Sequence, residues 1–305
     1  MSPQAMPKHR TCAHMVVHEL LAETKPEYRE RRLKVEEDTL RSIESGRAME
    51  VAGKLVTIPV VVHVVHRADE ENISDAQVKS QIKALTRDFR LKNADKSKVP
   101  AAWKALATDA KIDFTLATTD PNGKKTPGIT RTATTRESFA ADNTVKSKKT
   151  GGVNPWPTDR YLNCWVCNLS DGLLGYAQFP GGPAATDGVV VLYSAFGTEG
   201  AVNAPFDKGR TATHEVGHFL NLRHIWGDRN DCTGNDLVAD TPPAQRANTG
   251  KPKFPAITCK NGPNGDMFMN YMDYTDDDSM VMFTVGQVAR MNAALGGPRK
   301  KLAGL

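Results

Sequence analysis

Long apolar runs are missing from this chain. No stretch of about 18 apolar residues occurs, which excludes a transmembrane helix and sets the expectation of no membrane partner. Cysteine is scarce. Five in 305 residues (Cys12, Cys164, Cys167, Cys232, Cys259) cannot make a disulfide scaffold, and the odd count leaves one thiol over if the others pair. Aromatic residues are 7% and do not interleave with basic ones as in a nucleic-acid groove. No repeat or long low-complexity tract is present. Met1 to Arg10 are polar, with no apolar core, and do not read as a secretory signal as they stand. What remains, 39% hydrophobic and 25% charged, is an ordinary globular composition. The net charge of +5 alone is a weak hint of an acidic partner.

The length suits two domains, or one mixed α/β domain with an attached segment. Met15 to Ser45 reads as helix, dense in both charges from Arg29 to Asp38 as on a solvated face. Ser45-Gly46-Arg47 breaks it. Leu55 to Val65 is rich in β-branched residues and reads as a buried strand. Ser74 to Asn93 reads as an amphipathic helix capped by Ser74, with Val78, Ile82, Leu85 and Phe89 as its stripe. Ile112-Phe114-Leu116 alternates like a strand, and Tyr161 to Leu169 and Gly188 to Tyr193 read as two more. Thr211 to Leu220 and Thr284 to Leu295 are the last helices, with mostly loop between them. This order describes an α+β fold whose irregular half needs a metal or a disulfide to hold it. Cys164 and Cys167 have C-x-x-C spacing, but three residues apart on a strand they face opposite ways, so two buried, inert thiols are expected.

Chemistry concentrates in His214-Glu215-Val216-Gly217-His218-Phe219-Leu220-Asn221-Leu222-Arg223-His224. On a helix His214 and His218 stack on one face and reach one ion. Glu215 then stands beside an attacking water. His224 is too far round for a straight helix, so the chain must turn sharply, and Asn221 tolerates the left-handed conformation such a turn needs. Three neutral imidazoles leave the fourth zinc position open, the pattern of a catalytic site.

These residues resemble the metzincin motif H-E-x-x-H-x-x-G-x-x-H with a later Met-turn, here Asn270-Tyr271-Met272-Asp273-Tyr274. Asn221 replaces the motif's Gly. The runs 214–228, 238–242 and 265–283 are most similar to the pappalysin (cytophagalysin) family, above all its small ulilysin-like members, over about residues 55–295. The resemblance implies a metzincin catalytic domain over 51–305, with a twisted mixed sheet, an active-site helix and an irregular C-terminal subdomain. It implies zinc on His214, His218 and His224, Glu215 as general base and acid, and Met272 as the floor beneath the imidazoles. Tyr274 is expected to donate to the tetrahedral oxyanion.

The same resemblance places Asp277, within Asp276-Asp277-Asp278, in the pocket for the residue after the cleaved bond, where a carboxylate favours Arg or Lys. It implies calcium near Asp236, Asp240 and Thr241, in a region that also holds Asp228 and Asp231. It implies a Cys232–Cys259 bond, while Lys251 and Ser279 occupy the positions of a second, lost pair. Residues 1–50 look like a helical pro-segment whose Cys12 thiolate blocks the metal, released by a cut before Arg41 or Arg47. The expected protein is therefore a secreted zinc endopeptidase made as a zymogen, monomeric, acting on protein or peptide substrates. The rival class is a metzincin-fold binding module with weakened catalysis, supported by Asn221 and the lost cysteine pair. A basic nucleic-acid binder has no motif behind it. The charge is uneven: ten acidic and six basic residues lie in 214–283, against 25 and 34 elsewhere. That imbalance favours basic residues in the substrate over an acidic partner.

Overall fold

The computed structural model describes residues 7–305. Its centre is a six-stranded sheet of β1 (Val56–His66), β2 (Ile112–Leu116), β3 (Ile129–Ala133), β4 (Leu162–Cys167), β5 (Gly175–Ala177) and β6 (Val189–Leu192). The order is β2-β1-β4-β6-β5, and β3 also pairs with β1. The long β1 takes β2 against its first half (Val56↔Ile112) and β3 against its second (Val62↔Ile129), both parallel. β4 and β6 are parallel too, and β5 alone runs antiparallel, beside β6. The architecture is the expected α+β fold with a mixed sheet. β3 and β5 escape a periodicity reading: β5 is three residues long, and β3 (Ile-Thr-Arg-Thr-Ala) presents one apolar residue before turning polar.

Alternate residues of β1, β4 and β6 serve opposite cores. Ile58, Val60, Val62, Cys164, Val166 and Val191 share one core with the apolar stripe of α4 (Asp75–Phe89), with α5 (Arg210–Phe219) and with α6 (Val285–Gly296). Val65, Trp165, Cys167, Val190 and Leu192 face a second core containing Tyr176, Val17, Leu21 and Tyr28. Cys164 and Cys167 thus lie on opposite sides, and burial pushes both thiols up, which keeps them inert. Ser74 caps α4 by accepting from Gln77 N, and Thr284 with Gln287 forms a capping box on α6.

The N-terminal helix is two helices, α1 (His14–Thr24) and α2 (Pro26–Glu44). Pro26 lacks an N–H and disfavours a helical Lys25, so it ends one helix and opens the next. Gly46 turns the chain, and a further helix, α3 (Arg47–Ala52), packs on α6 across the expected 50/51 border. Between α5 and α6 only the two-residue strands β7 (Thr249–Gly250) and β8 (Tyr274–Thr275) interrupt the loops. A Cys232–Cys259 disulfide closes 27 residues of that irregular half.

Candidate active site

Helix α5 puts His214 and His218 one turn apart, both buried. Asn221 follows with φ 76°, the left-handed turn that Gly would make. The reversal lets Leu222 N bond Gly217 O at 2.9 Å and delivers His224 to the other two. The three Nε2 atoms stand 3.1, 3.2 and 3.2 Å apart. Each Nδ1 faces an acceptor: Tyr271 O at 2.7 Å, Leu222 O at 2.8 Å, and Asp228 Oδ1 at 2.5 Å for His214, His218 and His224 respectively. The ring proton therefore sits on Nδ1, and every Nε2 turns a lone pair inward. Burial holds His214 and His218 well below the usual histidine range, hence neutral. Three converging lone pairs with no proton among them repel unless a cation joins them. Tetrahedral zinc, with bonds of about 2.0–2.1 Å, keeps nitrogen ligands about 3.3–3.4 Å apart, so the triangle fits that ion.

Glu215 is buried beside the triad, and burial pushes its carboxyl up to about 8. Met272 lies under the helix: a Cβ on Gly217 would sit 2.4 Å from its sulfur, so glycine there is what lets the two approach. Tyr274 stands edge-on to His224 at 4.8 Å between ring centroids and also packs on Trp226.

Residues 10–14 run through this site. Cys12 bridges to Gly175 in parallel with β5: Ala13 N donates to Gly175 O at 3.1 Å, and Leu174 N to Thr11 O at 3.0 Å. The Cys12 thiol lies 3.3 Å from Glu215 Oε2 and within 4.8 Å of a ring nitrogen of each triad histidine. Tyr274 Oη accepts from Cys12 N at 3.2 Å and donates to Cys12 O at 3.1 Å. Two residues earlier, Arg10 enters a closed pocket. Its Nη2 meets Asp277 Oδ1 at 2.6 Å, Nη1 donates to Thr211 Oγ1 at 2.9 Å, and Phe206 covers the guanidinium. Asp277 is fully buried and its Oδ2 accepts from Lys208 N at 2.7 Å and Arg210 N at 3.3 Å. Backbone donors at the start of α5 thus fix one oxygen and leave the other for a cation.

Asp236 and Thr241 come together, the hydroxyl donating to Asp236 Oδ2 at 2.7 Å, and burial pushes Asp236 up to about 7. Asp240 points elsewhere: its oxygens accept from Thr284 Oγ1 at 2.6 Å and Gly286 N at 2.8 Å, tying the loop to α6. Lys251 and Asp278, near the lost cysteine pair, form an exposed ion pair at 2.8 Å.

Three residues escaped the sequence reading. Asp228 orients His224 rather than joining an acidic cluster, and its spacing of four from a ligand was the available signal. Arg10 carried only its closeness to Cys12. His14, two residues past Cys12, stacks on His218 at 3.5 Å between centroids, fully buried with Nε2 unpartnered.

A converging histidine triad on a helix and a left-handed turn, a carboxylate beside it and a methionine beneath define a metzincin-type metallopeptidase. Residues 146–296 match Peptidase_M43, described as pregnancy-associated plasma protein-A, and the chain belongs to this pappalysin family. An extracellular metalloprotease of Arthroderma otae is 30% identical over 245 residues, 78% of this chain and 77% of that one. A promirolysin mutant from Tannerella forsythia is 48% identical, covering 96% of this chain and 97% of its own, at a TM-score of 0.88. Mature mirolysin of the same organism, in complex with a cleaved peptide, is 52% identical over 82% of this chain and 96% of that one, at a TM-score of 0.81. The protein is accordingly a metallopeptidase with a zymogen-type structure. With the turn at Asn221 intact, the weakened-binder reading loses its main support.

Proposed function

We propose that this is a secreted, monomeric zinc endopeptidase that cleaves peptide bonds before Arg or Lys, held latent by residues 1–50, with 51–305 as the catalytic domain. The observation that carries the reading is Arg10 on Asp277 at 2.6 Å, with Cys12 at the triad two residues away. The segment offers the enzyme the side chain its pocket is built for, and the thiol takes the remaining ligand position. The names of its extracellular relatives support secretion. His214, His218 and His224 hold the zinc, which, when bound, supplies a Lewis acid for the scissile carbonyl and acidifies the attacking water.

Glu215 takes that water's proton and delivers it to the leaving amine. Tyr274, whose hydroxyl now holds the Cys12 backbone, becomes a donor to the tetrahedral oxyanion once the segment leaves. Met272 supports the imidazoles from below. Calcium on Asp236 and Thr241, with Asp240 fastening their loop to α6, would brace the irregular half. Arg47 follows an exposed glycine turn and Arg41 lies inside α2, so the cut before Arg47 is the one we favour. No nucleic acid or membrane takes part. Among the described residues no helix is long and apolar enough to cross a membrane.

Digestion of a peptide library by the processed chain tests the reading. Cleavage before Arg and Lys, abolished by a zinc chelator and restored by zinc, is the expected result. Cleavage with no basic preference would reject the Asp277 pocket, and chelator-resistant cleavage would reject the metal.

A further inference from the structure

Opposite the Asp277 pocket, across the triad, the N-terminal segment makes a second charged contact. Glu36, on α2, places one carboxylate oxygen 2.8 Å from Arg290 Nη2 and the other 2.6 Å from Arg32 Nη2 and 3.7 Å from Arg223 Nη2. Arg290 and Arg223 belong to the catalytic body. Among the described residues, Glu36 is the sole carboxylate either of them pairs with. Arg290 is almost wholly buried, and its Nη1 has no partner. It is held in place from beneath, donating through Nε and Nη2 to Asn221 O at 3.4 and 3.2 Å. The Asn221 side chain faces the same contact, its Oδ1 accepting from Arg32 at 2.9 Å and its Nδ2 donating to Thr39 at 3.3 Å. Asn221 stands between the ligands His218 and His224, so this contact adjoins the metal site.

We infer that Arg290 and Arg223, with the Asn221 amide, form a subsite for an acidic residue of the substrate on the N-terminal side of the scissile bond. The inference rests on the proposed removal of residues 1–50. Departure of the segment uncovers two guanidinium groups deprived of their carboxylate, one of them already oriented by a backbone carbonyl. A carboxylate is the group this site now holds, which fixes the chemistry of its occupant. Its side follows from the chain path: Arg10 fills the proposed primed pocket, Cys12 meets the triad, and α1 and α2 continue beyond it. The two charged subsites then read opposite signs on either side of the cleaved bond.

The test uses two peptides identical except for Glu or Gln at a position two to four residues before a cleaved Arg bond, each position in turn. The enzyme is the full chain after processing. At low salt the Glu member at one position is expected to show kcat/KM about tenfold higher, chiefly through KM. The ratio should shrink with added salt, and towards unity in Arg290→Gln and separately in Arg223→Gln. Should Arg290→Gln fail to fold, the salt titration and the Arg223 variant still decide. Equal cleavage at all positions, or a Glu preference untouched by salt and by both variants, overturns the subsite and leaves the peptidase reading standing. No cleavage of any peptide overturns both.

Discussion

Two regions build this site by opposite means. The eleven residues from His214 to His224 supply the three proposed histidine ligands of zinc and the proposed general base from one helix and one turn. The thirty residues from Arg10 to Thr39 close over them through single contacts to distant places: Thr11 and Ala13 to β5, Arg10 to Asp277, Arg32 to Asn221, Glu36 to Arg290. The first region is rigid because backbone carbonyls orient two of its rings: Leu222 O, which exists whenever the turn does, and Tyr271 O, which the Met-turn segment brings up from outside. The second joins one short backbone pairing to side-chain contacts that can be lost one at a time. A catalytic centre must survive activation, and a latency segment must not, so the difference suits the two tasks.

The largest effect should come from breaking the first region at its one reactive carboxylate. Glu215→Ala is expected to lower kcat by about 10³-fold or more, since general acid–base groups contribute about 10²–10⁴-fold and the proposed mechanism gives this one two proton transfers. Zinc content by atomic absorption should stay at one per chain, because Glu215 is not among the three proposed ligands. Loss of zinc together with activity would mean that the two regions are not separable in this way.

Next comes the anchor of the second region. Arg10→Ala leaves Asp277 buried without its cation, and truncating one partner of such a pair costs about 2–5 kcal/mol. Part of that cost falls on the docked state alone, so activity of the unprocessed chain on a short Arg-containing peptide should rise about 10²-fold. Arg10→Lys keeps the charge and should rise far less. An unprocessed Arg10→Ala chain as silent as the wild type would show that Cys12 and the helices suffice for latency.

The same contrast explains what could be read before the fold was known. The triad, Glu215, the positive-φ turn at Asn221 and the strands rich in Val and Ile are local: spacing or composition within about ten residues specifies them. Arg10 and Asp277 are 267 residues apart, and nothing near either names the other. His14 has no local pattern at all, since its place on His218 comes from where the Cys12 strand lies against β5. Asp228 carried a readable spacing, but its acidic neighbours suggested calcium as strongly. Cys12 and Asp277 were legible only through resemblance, because a pocket and its plug are defined by a fold, not by a period.

The smallest effect distinguishes the regions by pH. His18, on α1, bonds the Tyr28 hydroxyl through Nδ1 at 2.8 Å and lies edge-on to Phe179. Burial lowers it to about 4, aided by the nearby Arg32 and Arg223 and opposed by Glu36 and Asp228. In a released segment it returns to about 6.5. Between pH 4 and 6.5 the free segment therefore binds more protons than the docked one, so docking is at full strength above about 6.5 and weakens as pH falls towards 4. With these values His18 alone should make the segment bind the processed Glu215→Ala protein about tenfold more weakly at pH 5.5 than at pH 7.5. In a His18→Gln segment the fall should be about tenfold smaller, the remainder coming from His14, whose buried ring is likewise held well below the usual histidine range. An equal fall in both segments would place the titration outside His18, in His14 or in the triad it stacks on.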